Sequence, residues 1–278
     1  MRLVFTGTGG KAGSWHMCGV QMAATRPDWK AIPKASLSDL AGADAVVMVK
    51  RIPKDTLDTI KKWGGPRIYQ PLDFWRQPED ARNIGTPKEA CIKFQKHFEE
   101  IDAEIVLTPN TMMKYDIAPI CRRVEVLPHH YDPALHVDVH KEAKTLVYWG
   151  RTQYLAEWAN PIRAACDKLG LEFLVNPAIP EHATMMVAVR GGIYGNWLDR
   201  RWKSSVKGAT AMALGVPLVA WPEWSYTEFC GSVLWPFADQ EQLYAAIQNA
   251  YSRRGEIAPS DKFSVENMAK RLEEILGV

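Results

Sequence analysis

Short hydrophobic runs alternate with amphipathic stretches along the first half of the chain. We predict strands at 2–6, 44–50, 67–73, 104–108 and 124–128, and helices at 14–24, 54–63, 87–100 and 110–118. Strands of this length that alternate with helices are typical of a parallel sheet covered by helices on both faces. Residues 1–140 therefore form one predicted α/β domain of the Rossmann type.

The same pattern begins again after residue 140. We predict strands at 145–151, 171–175, 185–189 and 218–220, and helices at 160–169 and 206–214. Residues 141–262 are thus a second predicted Rossmann-like domain. The end of the chain, 263–278, is a predicted amphipathic helix that crosses back to the first domain. Because open parallel sheets bind ligands at the carboxyl ends of their strands, we expect the two domains to face a shared cleft.

One stretch, KSSVKGATAMALGVPLVA at 203–220, combines cations with a helix start. Ser204 or Ser205 is a good N-cap, 206–214 is a helix of small residues, and Gly215 is a typical C-terminal stop. The free N–H groups and the macrodipole of such a helix, together with Lys203, favour a phosphate ligand. The alternative, an ordinary helix-to-strand unit with solvated lysines, stays open on this stretch alone.

Composition and charge limit the class of protein. The chain has 278 residues, of which 47% are hydrophobic and 24% are charged, so it is long and apolar enough to build two cores. A net charge of +2 argues against a general nucleic-acid coat protein. Residues 1–78 nevertheless hold twelve Lys or Arg against six Asp or Glu, so a basic face that binds a polyanion is one interpretation, and an ordinary soluble surface is the other.

The cysteines and the first residues bear on the compartment. Five cysteines are widely spaced and include no C-x-x-C pair, which disfavours a disulfide framework and a zinc knuckle. The opening MRLVFTGTGG runs directly into a strand and a glycine turn, without an apolar segment of signal-peptide or membrane-span length. We expect a cytoplasmic protein with no membrane association, and no protein partner is implied.

Three segments together resemble a known family. They are VLPHHYDP at 126–133, LVYWGR at 146–151 and KSSVKGATAMALGVPLVAWPEWSYTEF at 203–229. The combination resembles the GT-B glycosyltransferases, especially the retaining enzymes that use nucleotide sugars, and it covers the order of elements over the whole chain. The resemblance implies two Rossmann-like domains, a UDP-sugar rather than a GDP-sugar as co-substrate, and no bound cofactor.

The resemblance also implies site residues. In the family, a basic residue after the first strand of the C-terminal domain and a lysine before the Ala-Met-Ala helix hold the donor diphosphate. The matching residues are Arg151 and Lys203, aided by the backbone at Ser204 and Ser205. The implied contacts to the donor sugar and nucleotide come from Gly150, Asp199, Ser225, Tyr226, Thr227 and Glu228, the last four in a predicted loop.

Two positions depart from the family pattern. Many relatives carry a glutamate where this chain has Thr210, and an acidic residue where it has Trp202. Asp199 or Glu228 is our candidate for the missing carboxylate. Because of this departure, the identity of the nucleotide is not decided. A protein that binds nucleotide sugars without catalysing a transfer is an alternative interpretation.

The glycine loop GTGGKAG at 7–13 belongs to the acceptor-side domain. Ala12 stands where the third glycine of G-x-G-x-x-G belongs, so an NAD(P)-dependent oxidoreductase is the weaker interpretation. In a glycosyltransferase, Gly9 and Gly10 allow the backbone to approach the transferred sugar. If the reaction inverts the anomeric centre it needs a general base, for which Asp73 and His16 are the candidates. The resemblance favours retention, which needs none.

The segment HHYDPALHVDVH at 129–140 holds four histidines and two aspartates. It contains a proline and matches no helical H-E-x-x-H spacing, so we predict a polar linker and no metal site. The acceptor has two candidate classes. One is a hydroxymethylated base in DNA, as in bacteriophage DNA glycosyltransferases, and the other is a small molecule, glycan or protein.

Overall fold

The computed structural model describes residues 1–10, 13–73 and 81–278. Lys11 and Ala12 of the glycine loop lie outside the described residues. Contacts between Cα atoms divide the chain into two compact units. The first unit is Met1–His129, Trp202–Ser204 and Val265–Val278, and the second unit is His130–Arg201 and Ser205–Ser264. The chain passes from the first unit to the second between His129 and His130.

The first unit contains a parallel sheet of six described strands in the order β2-β1-β3-β4-β5-β6. The strands are β1 (Leu3–Thr6), β2 (Lys30–Ala31), β3 (Ala45–Val49), β4 (Arg67–Gln70), β5 (Ile105–Thr108) and β6 (Val124–Val126). Every residue of β1 and β3 is buried, as expected for central strands covered on both faces.

Five described helices of the first unit alternate with these strands along the chain, and a sixth comes from the C-terminal end of the chain. They are α1 (Gly13–Trp15), α2 (Leu37–Leu40), α3 (Lys54–Trp63), α4 (Pro87–Ile101), α5 (Thr111–Ile117) and α11 (Val265–Leu276). The predicted helix at 14–24 is instead the short α1 followed by a π-helix, His16–Gln21. Helix α4 begins at a capping box in which Thr86 and Glu89 satisfy each other's backbone N–H groups.

The C-terminal helix α11 packs on the first unit, as predicted. It buries Met268, Leu272 and Ile275 along one face. Arg26 donates to Glu273 through both Nε and Nη2, at 2.7 and 2.8 Å, and Arg123 donates to the carbonyl oxygen of Ile275 at 2.9 Å.

The second unit contains a parallel sheet of five described strands in the order β11-β10-β9-β7-β8. The strands are β7 (Thr145–Tyr148), β8 (Glu172–Val175), β9 (Met186–Ala188), β10 (Leu218–Ala220) and β11 (Leu234–Pro236). The helices are α6 (Ala159–Leu169), α7 (Trp197–Trp202), α8 (Val206–Leu214), α9 (Trp224–Phe229) and α10 (Gln240–Ser252). Leu146, Val187 and Val219 from three strands pack against Ile162 of α6 and Ile247 of α10 in the core of this unit.

Several predicted strands end earlier than the hydrophobic pattern suggested, three of them next to residues with positive φ. Strand β3 ends before Lys50, β4 ends before Leu72 and β7 ends before Gly150. All three residues have positive φ, at +54°, +65° and +151°, which is incompatible with an extended strand. The chain therefore turns sharply at the carboxyl ends of these strands, where the candidate site residues lie. Among the described helices, none has the length and hydrophobicity that crossing a membrane requires.

Candidate functional site

The first unit carries a buried cluster of opposite charges at the carboxyl ends of β3 and β4. Lys50 Nζ lies 2.7 Å from Asp73 Oδ1, and Lys203 Nζ lies 2.8 Å from Asp73 Oδ2. Burial alone would raise the pKa of Asp73, but the two lysines outweigh it and lower this pKa to about 2. Asp73 is therefore ionised and held by two cations at neutral pH.

Lys203 is fixed in the first unit by its own neighbours. The indole N–H of Trp202 donates to Asp116 Oδ2 at 2.8 Å, and the side-chain amide of Asn110 donates to the carbonyl oxygen of Lys203 at 3.1 Å. These bonds explain why Trp202–Ser204 groups with the first unit. The sequence had assigned Lys203 to the donor domain beside Arg151. The structure instead assigns Lys203 to the first unit and Arg151 to the second.

The glycine loop and the π-helix lie at the carboxyl end of β1. Gly9 and Gly10 have φ of +72° and +76°, and an added Cβ at Gly9 would lie 2.6 Å from Pro33 Cβ. His16, the first residue of the π-helix, is exposed. Cys18 Sγ lies 3.4 Å from His129 Nε2, and burial raises the pKa of this thiol to about 12. Cys18 is thus a neutral thiol.

In the second unit, the turn after β7 presents backbone to solvent. Gly150 is exposed, and Asn176 fixes it by donating to its carbonyl oxygen at 2.9 Å and accepting from its N–H at 2.8 Å. Arg151 is exposed, and its side chain makes no hydrogen bond or ion pair within the described residues. The Tyr148 hydroxyl donates to the carbonyl oxygen of Arg151 at 2.9 Å. The turn therefore offers a glycine and an arginine side by side.

Helix α8 begins next to this turn. Lys207, in its first turn, has its Nζ 4.3 Å from the centroid of the Tyr148 ring. An added Cβ at Gly150 would lie only 3.3 Å from the same Nζ. Ser205 is the N-cap residue, but its side chain makes no capping bond, and its buried Oγ has no partner among the described residues. Ser205 therefore occupies the N-cap position but makes no capping hydrogen bond. Ser204, next to it, is half-buried.

A buried ion pair, which the sequence analysis missed, lies at the carboxyl ends of β9 and β10. Arg190 Nε lies 2.6 Å from Glu223 Oε1, and Glu223 is 1% exposed. Glu223 raises the pKa of Arg190 against the opposing effect of burial. Both residues directly follow hydrophobic strands, so the rule that ligand sites gather at carboxyl ends was the signal that would have found them.

The remaining predicted donor contacts fall on two helices. Ser225 and Tyr226 are buried in α9, Thr227 is exposed and Glu228 is half-buried. The predicted loop is thus a helix. Asp199 is buried in α7 and accepts from the Asn196 side-chain amide at 2.6 Å.

Thr210, the departure from the family glutamate, is buried in α8. Its hydroxyl donates to the carbonyl oxygen of Val206 at 2.9 Å, which is a local bond within the helix. Within the described part of the chain, no three His, Cys, Asp or Glu side chains gather as metal ligands would.

Comparison with known proteins gives the fold. No protein-family profile and no curated protein sequence matches the chain. Solved structures do match over its whole length. HepE from Anabaena, crystallised with UDP, has a TM-score of 0.63 and 11% identity, with 100% of both chains covered. Sucrose-phosphate synthase from Thermosynechococcus elongatus has a TM-score of 0.59 and 11% identity, with 100% of this chain and 98% of that chain covered. The predicted GT-B fold class, with its two parallel α/β sheets, is confirmed.

Proposed function

We propose that the protein transfers a sugar from a UDP-sugar to a hydroxyl group of an acceptor. The observation that carries the proposal is the start of helix α8 beside the exposed turn of Gly150 and Arg151. Free N–H groups of the first helical turn and an exposed guanidinium are the groups that bind a diphosphate. HepE, which has the same fold, was crystallised with UDP, and this supports UDP as the nucleotide.

The proposed chemistry follows from the leaving group. When the bond between the sugar and the diphosphate breaks, negative charge develops on the diphosphate oxygens. Arg151 and the backbone N–H groups at Ser205 and after it stabilise this charge more in the transition state than in the ground state. Gly150 brings the backbone close to the donor because it has no side chain.

Contacts to the rest of the donor are proposed from α9 and α7. Thr227 and Glu228 are the members of the α9 set that solvent reaches, so they are the proposed partners of sugar or ribose hydroxyl groups. Ser225, Tyr226 and Asp199 are buried, and we propose that they shape the site from behind.

A general base is needed only for an inverting reaction. Asp73 is a poor base because two lysines lower its pKa to about 2. We propose that Asp73 has a structural role as the partner of Lys50 and Lys203, and that His16, which is exposed, is the candidate base if configuration inverts.

A DNA acceptor is a second, narrower proposal. Exposed cations follow the carboxyl ends of two strands of the first unit, with Lys34 after β2 and Arg51 and Lys54 after β3. Such cations bind phosphate backbones, so hydroxymethylated DNA is the proposed acceptor and a small molecule, glycan or protein is the alternative. Incubation with duplex DNA carrying hydroxymethylated bases and UDP-glucose should add one hexose mass per modified base. No mass increase with any donor would exclude DNA.

Thermal-shift measurements test the donor site. UDP and UDP-glucose should raise the melting temperature, because a ligand that binds the native state stabilises it by mass action, and NAD should not. Arg151→Ala should reduce this shift. Arg163→Ala, which removes an exposed arginine of α6 in the same unit, should leave it unchanged. A shift with NAD alone would favour an oxidoreductase.

Catalysis is tested separately from binding. Slow release of glucose from UDP-glucose without an acceptor should accompany the thermal shift, and Arg151→Ala should slow it. A thermal shift with neither hydrolysis nor transfer to any acceptor would indicate a protein that only binds nucleotide sugars.

A further inference from the structure

Lys207 is a cation whose surroundings differ from those of the paired lysines. Its ammonium lies over the Tyr148 ring and, among the described residues, has neither an ion pair nor a hydrogen bond. Lys50 and Lys203 each lie within 3 Å of a carboxylate oxygen, at 2.7 and 2.8 Å. A partly buried ammonium without a carboxylate has lost part of its hydration and gained only the weaker attraction of a ring face.

The nearby charges do not neutralise Lys207. Glu223 is the carboxylate in electrostatic range of Lys207, but Arg190 pairs with it at 2.6 Å, and the other carboxylate near Arg190, Asp199, acts on Arg190. Tyr148 and Tyr226 face the same group, and burial raises both of their pKa values, so both stay neutral. Burial and Arg190 lower the pKa of Lys207 to about 7, against the effect of Glu223.

Exposed backbone lies close to this ammonium. Gly150 is exposed, and a Cβ added there would lie 3.3 Å from Lys207 Nζ and 3.0 Å from the Tyr148 hydroxyl, so only a glycine lets the turn approach Lys207 this closely. The buried Ser205 hydroxyl, without a partner among the described residues, lies two positions before Lys207 at the same helix start. An ammonium without an ion pair among the described residues, exposed backbone beside it and a buried hydroxyl without a partner thus occur together.

We propose that Lys207 is the lysine that binds the donor diphosphate, and that it takes up a proton when it does so. The inference rests on the proposed function and names a residue that the family resemblance did not. In the free protein near neutral pH, part of the population carries an uncharged amine at Lys207. The bound diphosphate stabilises the ammonium, so this part gains one proton from water on binding.

Calorimetric titration with UDP-glucose between about pH 6 and 9 tests the proposal. UDP-glucose is the probe because its diphosphate lacks a terminal phosphate, whose second pKa near 6 would add a slope of its own. Affinity should fall by up to about tenfold per pH unit above about 7, because each bound ligand then requires a proton. Above about pH 7, buffers of different ionisation enthalpy should report net proton uptake on binding.

Variants show whether Lys207 or another group causes the pH dependence of the affinity for UDP-glucose. Lys207→Arg keeps the charge at all these pH values and should bind with little pH dependence. Lys207→Met should bind about tenfold or more weakly at pH 6.5 and also without slope. Lys168→Met removes another lysine that lies over a tyrosine ring, 5.5 Å from Tyr244 in the same unit, and should behave as the wild type.

The outcomes distinguish this inference from the proposed function. Binding of UDP-glucose with no pH dependence, or a slope that survives in folded Lys207→Met, would overturn the role of Lys207 and leave the function standing. Failure of the folded wild type to bind UDP-glucose at any pH would overturn both.

Discussion

The two units use buried cations in opposite ways. In the first unit, Lys50 and Lys203 each contact an oxygen of Asp73, so both ammonium groups have a carboxylate partner. In the second unit, Arg190 pairs with Glu223, and Lys207 lies over the ring of Tyr148. A lysine that already holds a carboxylate has a structural role, whereas one without a carboxylate is available to a ligand. The same side chain thus serves stability in one unit and, we propose, binding in the other.

The largest expected effect comes from breaking the ion pair of the second unit. Glu223→Gln removes the carboxylate that pairs with the Arg190 guanidinium, whose side chain is 11% exposed. Removing one partner of a buried pair typically costs about 3 to 5 kcal/mol, and urea unfolding should report a loss of about that size.

The matched control is a surface pair of the same unit. Arg253 Nε lies 2.9 Å from Glu256 Oε2, and both side chains are more than half exposed. Glu256→Gln should cost less than about 1 kcal/mol. Equal losses in the two variants would mean that the Arg190–Glu223 pair is no more important than a surface contact.

The next effect concerns the cluster of Lys50, Asp73 and Lys203 in the first unit. The pKa of Asp73 is lower in the folded protein, about 2, than the value of about 3.9 expected in an unfolded chain. The contribution of ionised Asp73 to the free energy of unfolding is therefore fully present above about pH 4 and is lost as the pH falls towards 2. We expect this pH-dependent contribution to stability to be about 2 kcal/mol. In Asp73→Asn, the loss of stability between about pH 4 and pH 2 should be smaller by this amount than in the wild type.

An effect of similar size and opposite sign is expected at Lys207. Its pKa of about 7 in the folded protein lies below the value near 10.4 of an unfolded chain, so the unfolded state binds more protons between these values. Stability should therefore rise with pH from about 7 to 10. Lys207→Met should stabilise the protein at pH 7 by on the order of 2 kcal/mol, allowing for partial exposure.

Lys168→Met, on an exposed lysine, should change the free energy of unfolding by less than about 0.5 kcal/mol. If Lys207→Met destabilises the protein instead, the ammonium is better accommodated than its surroundings suggest.

Much of the fold was predictable from hydrophobic runs. The helix bounds 54–63 and 206–214 and the strand 218–220 agree with the structure to the residue. The two-residue β2 and the three-residue β11, both at sheet edges, are too short to give a pattern. Helix α9 was missed because its aromatic and polar residues were interpreted as a loop.

The site was harder to predict, because charge pairing depends on which residues meet in space. The sequence indicated Lys203 from its place before the helix. It did not reveal that the Lys203 ammonium contacts Asp73, which is 130 positions away in the sequence. Lys207 lies four positions after Lys203 in the same sequence motif, so the motif does not separate the two lysines. Lys207 is distinguished by its spatial neighbours Tyr148, Arg190 and Glu223, which come from the carboxyl ends of three strands.

The affinity for UDP-glucose of Lys207→Met compared with Lys203→Met tests the central claim most directly. Both variants should be checked for folding by circular dichroism and then titrated in a calorimeter at about pH 6.5. Lys207→Met should bind about tenfold or more weakly than the wild type, and Lys203→Met should stay within about threefold of it. The reverse order, with Lys203→Met impaired and Lys207→Met unchanged, would contradict the account.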